Sequence, residues 1–356
     1  MRHQFAFLPL ALAATAFGCA SASSDTSESS ADAIRRSQHI LIADQFNNRV
    51  IEIDSHHNVV WSFGDGSSVA GPTSVVAPND AQRVGNFTLI AGTGAPAGSE
   101  PSCTTACNDN RVILVDHHGV IRWQYGQANV TGSGKNELNT PVCSVYLPGG
   151  NILITDQGNS RVIEVDGDKN IVWQYGATGT SGADANQLNN PNSAELLDNG
   201  NILIADENNN RVIEVDRAKN IIWSYGTPTD TTTLNGAAFA SRLPNGNTLI
   251  TDANNNRVVE VDAAKHVVFT FVTNTRPMSS ANPNPTRAIR LKSGNTLISD
   301  QNNHQVIEID HKGKIVFTQG AINVSGSGFD QLFGPYDAKV IGDYTGLTSP
   351  TPRYGY

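Results

Sequence analysis

Short runs of aliphatic and aromatic residues alternate with polar turns along the chain, and the clearest example lies between Asn201 and Gly226. This segment reads NILIADENNNRVIEVDRAKNIIWSYG, with apolar runs around Leu203, Val212 and Ile221. β-Branched and aromatic residues favour strands, whereas Asn and Asp favour the turns between them. The segment therefore predicts three antiparallel strands joined by two tight turns.

The same pattern recurs along the chain with a period of about 48 residues. Related copies start at His39, Asn151, Asn247 and Asn295, and another is split between residues 87 and 126. A further strand contains a Pro (Ala in one copy), two variable residues and a small residue; it spans 78–84, 141–147, 191–197, 237–243, 285–291 and 335–341. Repeats of this kind predict an all-β six-bladed β-propeller with four-stranded antiparallel blades.

The two ends of the repeat array complement each other. The last single strand, at 335–341, has no three-stranded unit after it, and the unit at His39 has no clear strand before it. An unpaired strand edge invites association with other chains. We therefore expect the C-terminal strand to pair with the first unit and close the ring.

The charge balance narrows the choice of partner. The chain has 24 Lys and Arg residues against 33 Asp and Glu residues, a net charge of −9. This argues against nucleic acid or an anionic membrane surface as a partner, and we expect a monomer. One acidic residue recurs in the middle of the repeat and is expected on the blade surface: Glu52, Glu164, Glu214, Glu260 and Glu308.

The N-terminal residues have the pattern of an export signal. Residues 1–22 combine Arg2 with an apolar run too short to span a membrane, which predicts a signal peptide. Cleavage either before Cys19, with lipidation of that residue, or after Ala22 fits the sequence. We expect a Ser-, Asp- and Glu-rich tether at 23–37, the propeller at 38–348 and a tail at 349–356. The predicted location is extracytoplasmic: the bacterial periplasm, outer membrane or cell surface, with membrane contact only through a lipid anchor.

Three further cysteines are candidates for a disulfide. Cys103 and Cys107 lie in an insertion at 92–110 that interrupts the split copy, and Cys143 lies near the start of the next inner strand. An exported protein is expected to oxidise two of them. The sequence favours Cys103 with Cys107, but it leaves a pair that includes Cys143 open, and three thiolates on a soft metal ion are the alternative.

The repeated motif carries a family resemblance. D-x-x-N-x-R-V occurs at 44–50, 156–162, 206–212 and 252–258 and resembles NHL repeats, which form six-bladed propellers. The longer text PNSAELLDNGNILIADENNNRVIEVDRAKNIIWSYG is similar to repeats of bacterial arylsulfotransferase-type propellers. That resemblance implies an active-site His just before the Pro of an inner strand. The matching positions hold no His: Ala77, Thr140, Asn190, Gly236, Asn284 and Gly334. No catalytic residue is therefore assigned.

The candidate binding residues follow the first position of each inner strand, where the copies differ most. They are expected around the mouth of the central channel, on the same face as the 92–110 insertion: Asn79, Asp80, Cys143, Asn192, Ser193, Phe239, Thr286, Arg287, Tyr336 and Asp337. Such a concave polar site suits a small ligand or a cation. The alternative is a water-filled mouth without a ligand, with Arg287 and Asp337 as a simple ion pair.

Two functions follow from this pattern. The first is an exported scaffold that binds a protein or a small molecule through the insertion-bearing face, without a resident cofactor. The second is an enzyme: a lyase or hydrolase with a divalent cation, Ca²⁺ by its oxygen ligands, held by Asp80 and Asp337, or a divergent arylsulfotransferase-like protein that lacks the expected His. Fold alone does not decide between them.

Overall fold

The structure, a computed structural model, describes residues 38–350. The signal peptide, the tether and lipidation of Cys19, all predicted for residues 1–37, lie outside the described residues, as does the tail from 351 to 356. Within the described range the chain forms six four-stranded antiparallel sheets. No helix in that range is long and apolar enough to cross a membrane.

Blades are numbered in chain order. Blade 1 contains β1 (Ile40–Asp44), β2 (Arg49–Ile53) and β3 (Val59–Phe63). Blade 2 contains β4 (Pro78–Val84), β5 (Phe87–Ala95), β6 (Cys107–Asp116) and β7 (Ile121–Gly126). Blade 3 contains β8 (Pro141–Tyr146), β9 (Ile152–Asp156), β10 (Arg161–Val165) and β11 (Ile171–Tyr175).

The remaining strands complete the ring. Blade 4 contains β12 (Pro191–Leu196), β13 (Ile202–Asp206), β14 (Arg211–Val215) and β15 (Ile221–Gly226). Blade 5 contains β16 (Ala237–Arg242), β17 (Thr248–Asp252), β18 (Arg257–Val261) and β19 (Val267–Val272). Blade 6 contains β20 (Pro285–Arg290), β21 (Thr296–Asp300), β22 (Gln305–Ile309) and β23 (Ile315–Gln319), and β24 (Pro335–Val340) follows.

The C-terminal strand closes the ring, as predicted. β24 pairs antiparallel with β1, and Ile42 faces Ala338 in the register. The sheet order β24-β1-β2-β3 makes β24 the inner strand of blade 1, equivalent to β4, β8, β12, β16 and β20 in the other blades. These six inner strands contact one another around the axis. The predicted six-bladed β-propeller is therefore confirmed, including its composite first blade.

The two middle strands of a blade are buried on both faces. In blade 4 every residue of β13 and β14 is buried, whereas the outer strand β15 is exposed at Ile221 and Ile222. The hydrophobic clusters combine residues of neighbouring blades, such as Val162 of blade 3 with Ile204 of blade 4. The core therefore lies between blades, and one blade alone would expose it to water.

The D-x-x-N-x-R-V motif has a structural role at the end of the second strand. Asp206 Oδ2 accepts hydrogen bonds from Asn209 Nδ2 and Arg211 Nε, both at 2.7 Å. Its Oδ1 accepts the backbone N–H of Asn189, at 2.8 Å, from the loop that enters the inner strand. Asn210 takes a left-handed conformation with φ 49°, which Asn tolerates better than most residues. The motif therefore fixes this loop to its blade.

Candidate functional site

Each of the six inner strands begins with a break in register, so that the residue after its first position is an extra residue without a partner in the ladder. In blade 4 Pro191 pairs with Asp206 and Ser193 with Ala205, so that Asn192 is the extra residue. Such a bulge re-aims a side chain at the end of a strand. Asn192 Nδ2 donates to the Tyr336 hydroxyl of blade 1 at 2.8 Å. Because blades 1 and 4 are opposite in a six-membered ring, this hydrogen bond spans the channel.

Below this bond, the predicted charged residues meet at the axis. Arg287 Nη2 donates to Asp80 Oδ1 at 2.8 Å. Its Nε lies 2.9 Å from Asp337 Oδ1, an ion pair whose angle is too poor for a hydrogen bond. The guanidinium carbon lies 4.3 Å from the ring centre of Phe239. Four of the predicted residues, from four different blades, therefore form one buried cluster.

Lys339 completes this cluster, and the sequence analysis missed it. Its Nζ donates to Asp80 Oδ1 at 2.6 Å, to the Ala81 carbonyl at 3.0 Å and to Asp337 Oδ2. Asp80 and Asp337 are thus balanced by Arg287 and Lys339. Burial opposes ionisation of Asp337, but Lys339 and Arg287 hold its pKa below the ordinary value. Lys339 could have been found from strand alternation, because Asp337 and Lys339 lie on the same side of β24.

The upper end of the channel is lined by amides and one carboxylate. Glu207 accepts hydrogen bonds from Asn192 Nδ2, at 2.8 Å, and from Asn190 and Gln157, both at 3.3 Å. Burial raises the pKa of Glu207. A second chain of amides runs through Asn79, Gln45, Gln301 and Asn284, with contacts of 2.6 to 2.8 Å. Gln45, Gln157, Glu207 and Gln301 directly follow the repeated Asp, a variable position that could have identified them.

The other predicted residues are buried among these groups. Thr286 Oγ1 donates to the Tyr336 carbonyl at 2.6 Å. Cys143 and Ser193 are each 1% exposed. Burial, with a smaller effect of the Asp80 charge, raises the pKa of the Cys143 thiol to about 12. A thiol of that kind is protonated at neutral pH and is a poor nucleophile or metal ligand.

The lower end of the channel is covered by the segment that follows β24. Thr348 donates its backbone N–H and its hydroxyl to Glu195 Oε2, at 2.9 and 2.6 Å. Gln82 Nε2 donates to the Thr348 carbonyl at 3.1 Å. Burial raises the pKa of Glu195, and the two Thr348 donors oppose that effect. Described side chains therefore contact one another at the upper end, in the middle and at the lower end of the channel.

The insertion is shorter than the sequence indicated, because both of its flanks extend a hairpin. β5 runs on to Ala95 and β6 starts at Cys107, which leaves a loop at 96–106. A disulfide joins Cys103 to Cys107, and Cys143 is a buried free thiol. This is the pairing that the sequence favours. The described residues contain one group with metal-ligand spacing, Glu100 with these two cysteines, but both sulfurs belong to the disulfide.

The insertion lies on the same face as the loops that enter the inner strands, and we call this the top face. Gly94 N bonds to the Val76 carbonyl of one such loop at 3.0 Å. Asn48 Nδ2 donates to Glu100 at 2.7 Å, which ties the insertion to blade 1. Several entry loops also carry exposed apolar side chains, with Phe329 at 72% and Met278 at 76% exposure. The top face therefore combines a pinned loop with uncovered apolar groups.

Comparison with known proteins supports the fold alone. The chain matches no protein-family model and no curated protein sequence. A protein of unknown function from Bacteroides caccae matches with a TM-score of 0.60 and 16% identity over 86% of this chain and 99% of its own. A chain of a nidogen/laminin complex matches with a TM-score of 0.52 and 12% identity over 79% and 92%. A streptogramin B lyase matches with a TM-score of 0.50 and 11% identity over 81% and 80%.

Proposed function

We propose that the protein is a non-catalytic scaffold that binds a polypeptide through its top face. One observation carries this proposal: the charged groups of the axial cluster are buried and paired with one another, while apolar groups of the surrounding loops are exposed. Arg287 is 2% exposed, whereas Phe329 is 72% exposed. A ligand in the channel would have to displace buried ion pairs, but a ligand on the rim would only cover apolar surface.

The exposed groups lie on two adjacent loops. Asn323 Nδ2 donates to the Met278 carbonyl, which joins the loop before blade 6 to the loop before β24. Val324, on the second loop, is 47% exposed. On that loop Phe333 also packs against Phe46, with ring centres 5.3 Å apart. We call Met278, Val324 and Phe329 the rim patch. Met adapts to different partners, and aromatic residues often dominate the free energy of binding.

The enzymatic alternative needs an available catalytic group in the channel. Asp80 and Asp337, the candidate calcium ligands, both bond to Lys339 and Arg287. A calcium ion would have to replace two protein cations. The likeness to a lyase shows the propeller fold and assigns no reaction. An extracytoplasmic location remains part of the proposal, and the Cys103–Cys107 disulfide supports it because such bonds persist in oxidising compartments.

A peptide library displayed on phage tests the binding surface. We expect enriched peptides whose affinity falls at least tenfold, about 1.4 kcal/mol, in the double variant Met278→Ser/Phe329→Ser. The matched control is Ile222→Ser/Val268→Ser, which removes two exposed apolar residues from outer strands at 56% and 53% exposure. Peptides that bind both variants as tightly as the unmodified protein would refute the top face as the binding surface.

Calorimetric titration with calcium tests the alternative. We expect no stoichiometric uptake and no shift in melting temperature, because the carboxylates already have cationic partners. Uptake of one ion per chain that is lost in Asp80→Asn would favour the enzyme over the scaffold.

A further inference from the structure

Four of the six boundaries between neighbouring blades are closed by a Glu–Arg pair in the described structure; the Arg lies on the inner strand in three of them and in a hairpin, as Arg217, in the fourth. A Glu of the third strand binds an Arg of the next blade: Glu52 with Arg83, Glu164 with Arg217, Glu214 with Arg242, and Glu260 with Arg290. Each Arg also lies over an aromatic ring of the outer strand, as Arg242 does over Trp223 at 4.8 Å. We call this arrangement the clasp. It corrects the sequence expectation that these Glu residues are surface charges, because Glu214 is 6% exposed.

The boundary between blades 2 and 3 has no clasp in the described structure. Leu114 pairs with Trp123 in the register position where Glu214 pairs with Trp223. On the next blade, Tyr146 and Ile152 form the pair that Arg and Thr form in blades 2, 5 and 6, as Arg242 and Thr248 do in blade 5. These substitutions remove both charges and keep the aromatic residue of the outer strand. The boundary is consequently apolar.

A cleft of about 580 Å³ opens at this boundary. Phe87, Leu114 and Trp123 line it from blade 2, and Tyr146 and Ile152 line it from blade 3. The volume lies within the range of sites for small organic molecules, which are mainly lined by apolar and aromatic side chains. The cleft lies among the hairpins opposite the top face, so it is separate from the rim patch.

The charged side chains at the edge of the cleft already have partners in the protein. Asp116 accepts the backbone N–H groups of His118 and Val120 and pairs with Arg122 at 2.7 Å. Asp166 accepts hydrogen bonds from Asn170 in its own hairpin. These hydrogen bonds, Val120 foremost for Asp116 and Asn170 for Asp166, lower the pKa of both carboxyls. Arg122 is the one Lys or Arg among the residues that line the cleft, and it already pairs with Asp116, so an anionic ligand would find no free cation, whereas His117 and His118 at the edge can bond a polar group.

We propose that this cleft binds a planar aromatic compound that carries no negative charge and has a hydrogen-bonding group at one edge. The aromatic body would lie against the partly exposed ring of Trp123, where offset stacking adds to the burial of apolar area, and the buried Tyr146 would form part of the cleft wall. The polar edge would face the two imidazoles. A negative charge on the ligand would be desolvated next to Asp116 and Asp166, without a free cation to pair with it.

N-phenyl-1-naphthylamine, a neutral fluorescent aromatic amine, is a direct probe. We expect saturable binding of one molecule per chain, with a rise in its fluorescence. The anionic relative 8-anilinonaphthalene-1-sulfonate should bind at least tenfold more weakly. Equal affinity for the anionic dye would overturn the ligand class, and no saturable binding of the neutral probe would overturn the site.

Two variants locate the probe. Leu114→Trp places a larger side chain in the cleft beside Trp123, and Leu114→Glu/Tyr146→Arg introduces the charged pair of a clasp; each should weaken binding at least tenfold while the melting temperature stays near that of the unmodified protein. Val268→Trp on an exposed outer strand is the matched control and should have no effect. If a variant does not fold, the other one still decides, because both block the same space by different chemistry.

A gain-of-function variant gives an independent answer. Glu214→Leu/Arg242→Tyr/Thr248→Ile converts the boundary between blades 4 and 5 into a copy of the apolar one. We expect the number of bound probe molecules to rise from one to two per chain. Binding that is unchanged by Leu114→Trp, together with an unchanged number in the triple variant, would show that the probe binds elsewhere.

Discussion

The channel axis and the boundary between blades 2 and 3 are both places where blades meet, but their chemistry differs. At the axis, Arg287 and Lys339 pair with two carboxylates and leave no uncovered charge. At the boundary, Leu114 and Tyr146 replace a charged pair and leave an open apolar space. The comparison indicates that a cluster of charged residues can have a structural role, whereas the loss of a repeated charged pair can mark a binding site.

Removal of β24, the inner strand of blade 1, should have the largest effect on stability. A chain that ends at Phe333 lacks β24, and with it Asp337 and Lys339, so blade 1 loses its register partner and the ring opens. We expect no cooperative unfolding transition in circular dichroism. A chain that ends at Thr348 keeps the contact with Glu195 and is the control. Equal melting temperatures for the two chains would contradict closure by β24.

Substitution of Arg287, the central cation of the cluster, should cause the next largest loss of stability. Arg287→Leu leaves Asp80 and Asp337 with Lys339 as their only cation in the described cluster. Breaking a buried ion pair from one side typically costs about 3 to 5 kcal/mol. Arg122→Leu is the control, because Arg122 pairs with Asp116 but its side chain is 56% exposed, and such pairs contribute about 1 kcal/mol or less. Urea unfolding measures the loss of unfolding free energy in both variants. Equal losses would show that the buried cluster contributes no more to stability than an exposed ion pair does.

Each clasp should contribute less to the free energy of unfolding than the ion-pair cluster at the channel axis. Arg242→Met removes one contact with Glu214 and the stacking on Trp223, although Glu214 keeps hydrogen bonds from Asn199 and Asn201. We expect the free energy of unfolding to fall by about 1 to 2 kcal/mol. Tyr146→Met at the unclasped boundary is the comparison and should not change the ion pairing. A loss of 3 kcal/mol or more for Arg242→Met would show that a clasp contributes as much stability as the ion-pair cluster at the axis.

The sequence predicted the fold because each repeat carries its own strand and turn signals, and the odd strand at 335–341 revealed the closure. It also placed Asp80, Arg287 and Asp337 around one axis. It did not show that these residues neutralise one another, since Lys339 comes from a position that was not considered. In the sequence, the cleft is indicated only by Leu114, which replaces the repeated Glu: residues 111–115 read RVILV, where residues 211–215 read RVIEV. Its meaning depended on Tyr146, a residue of another strand whose pairing no local pattern reveals.

A repeated aspartate differs between blades 4 and 6 in a way that predicts a small pH effect. Asp206 Oδ1 accepts the backbone N–H of Asn189, but the equivalent residue in blade 6 is Pro283, which has no N–H. Asp300 Oδ1 is consequently buried without a hydrogen-bond partner. Burial raises the pKa of Asp300 to about 6, against the opposing effect of Arg276.

The raised pKa of Asp300 determines whether the stability of the protein rises or falls with pH. Between the ordinary pKa of 3.8 and about 6, the folded protein binds a proton at Asp300 that the unfolded chain releases. Stability from this residue is therefore lost as the pH rises through that window and regained on acidification. We expect the free energy of unfolding to gain about 1 kcal/mol from Asp300 between pH 7 and pH 5. Asp300→Asn should lose that gain, as should Pro283→Ala, which restores the N–H. Urea unfolding at both pH values measures it; a gain that persists in both variants would assign the pH dependence to other carboxyls of the ring.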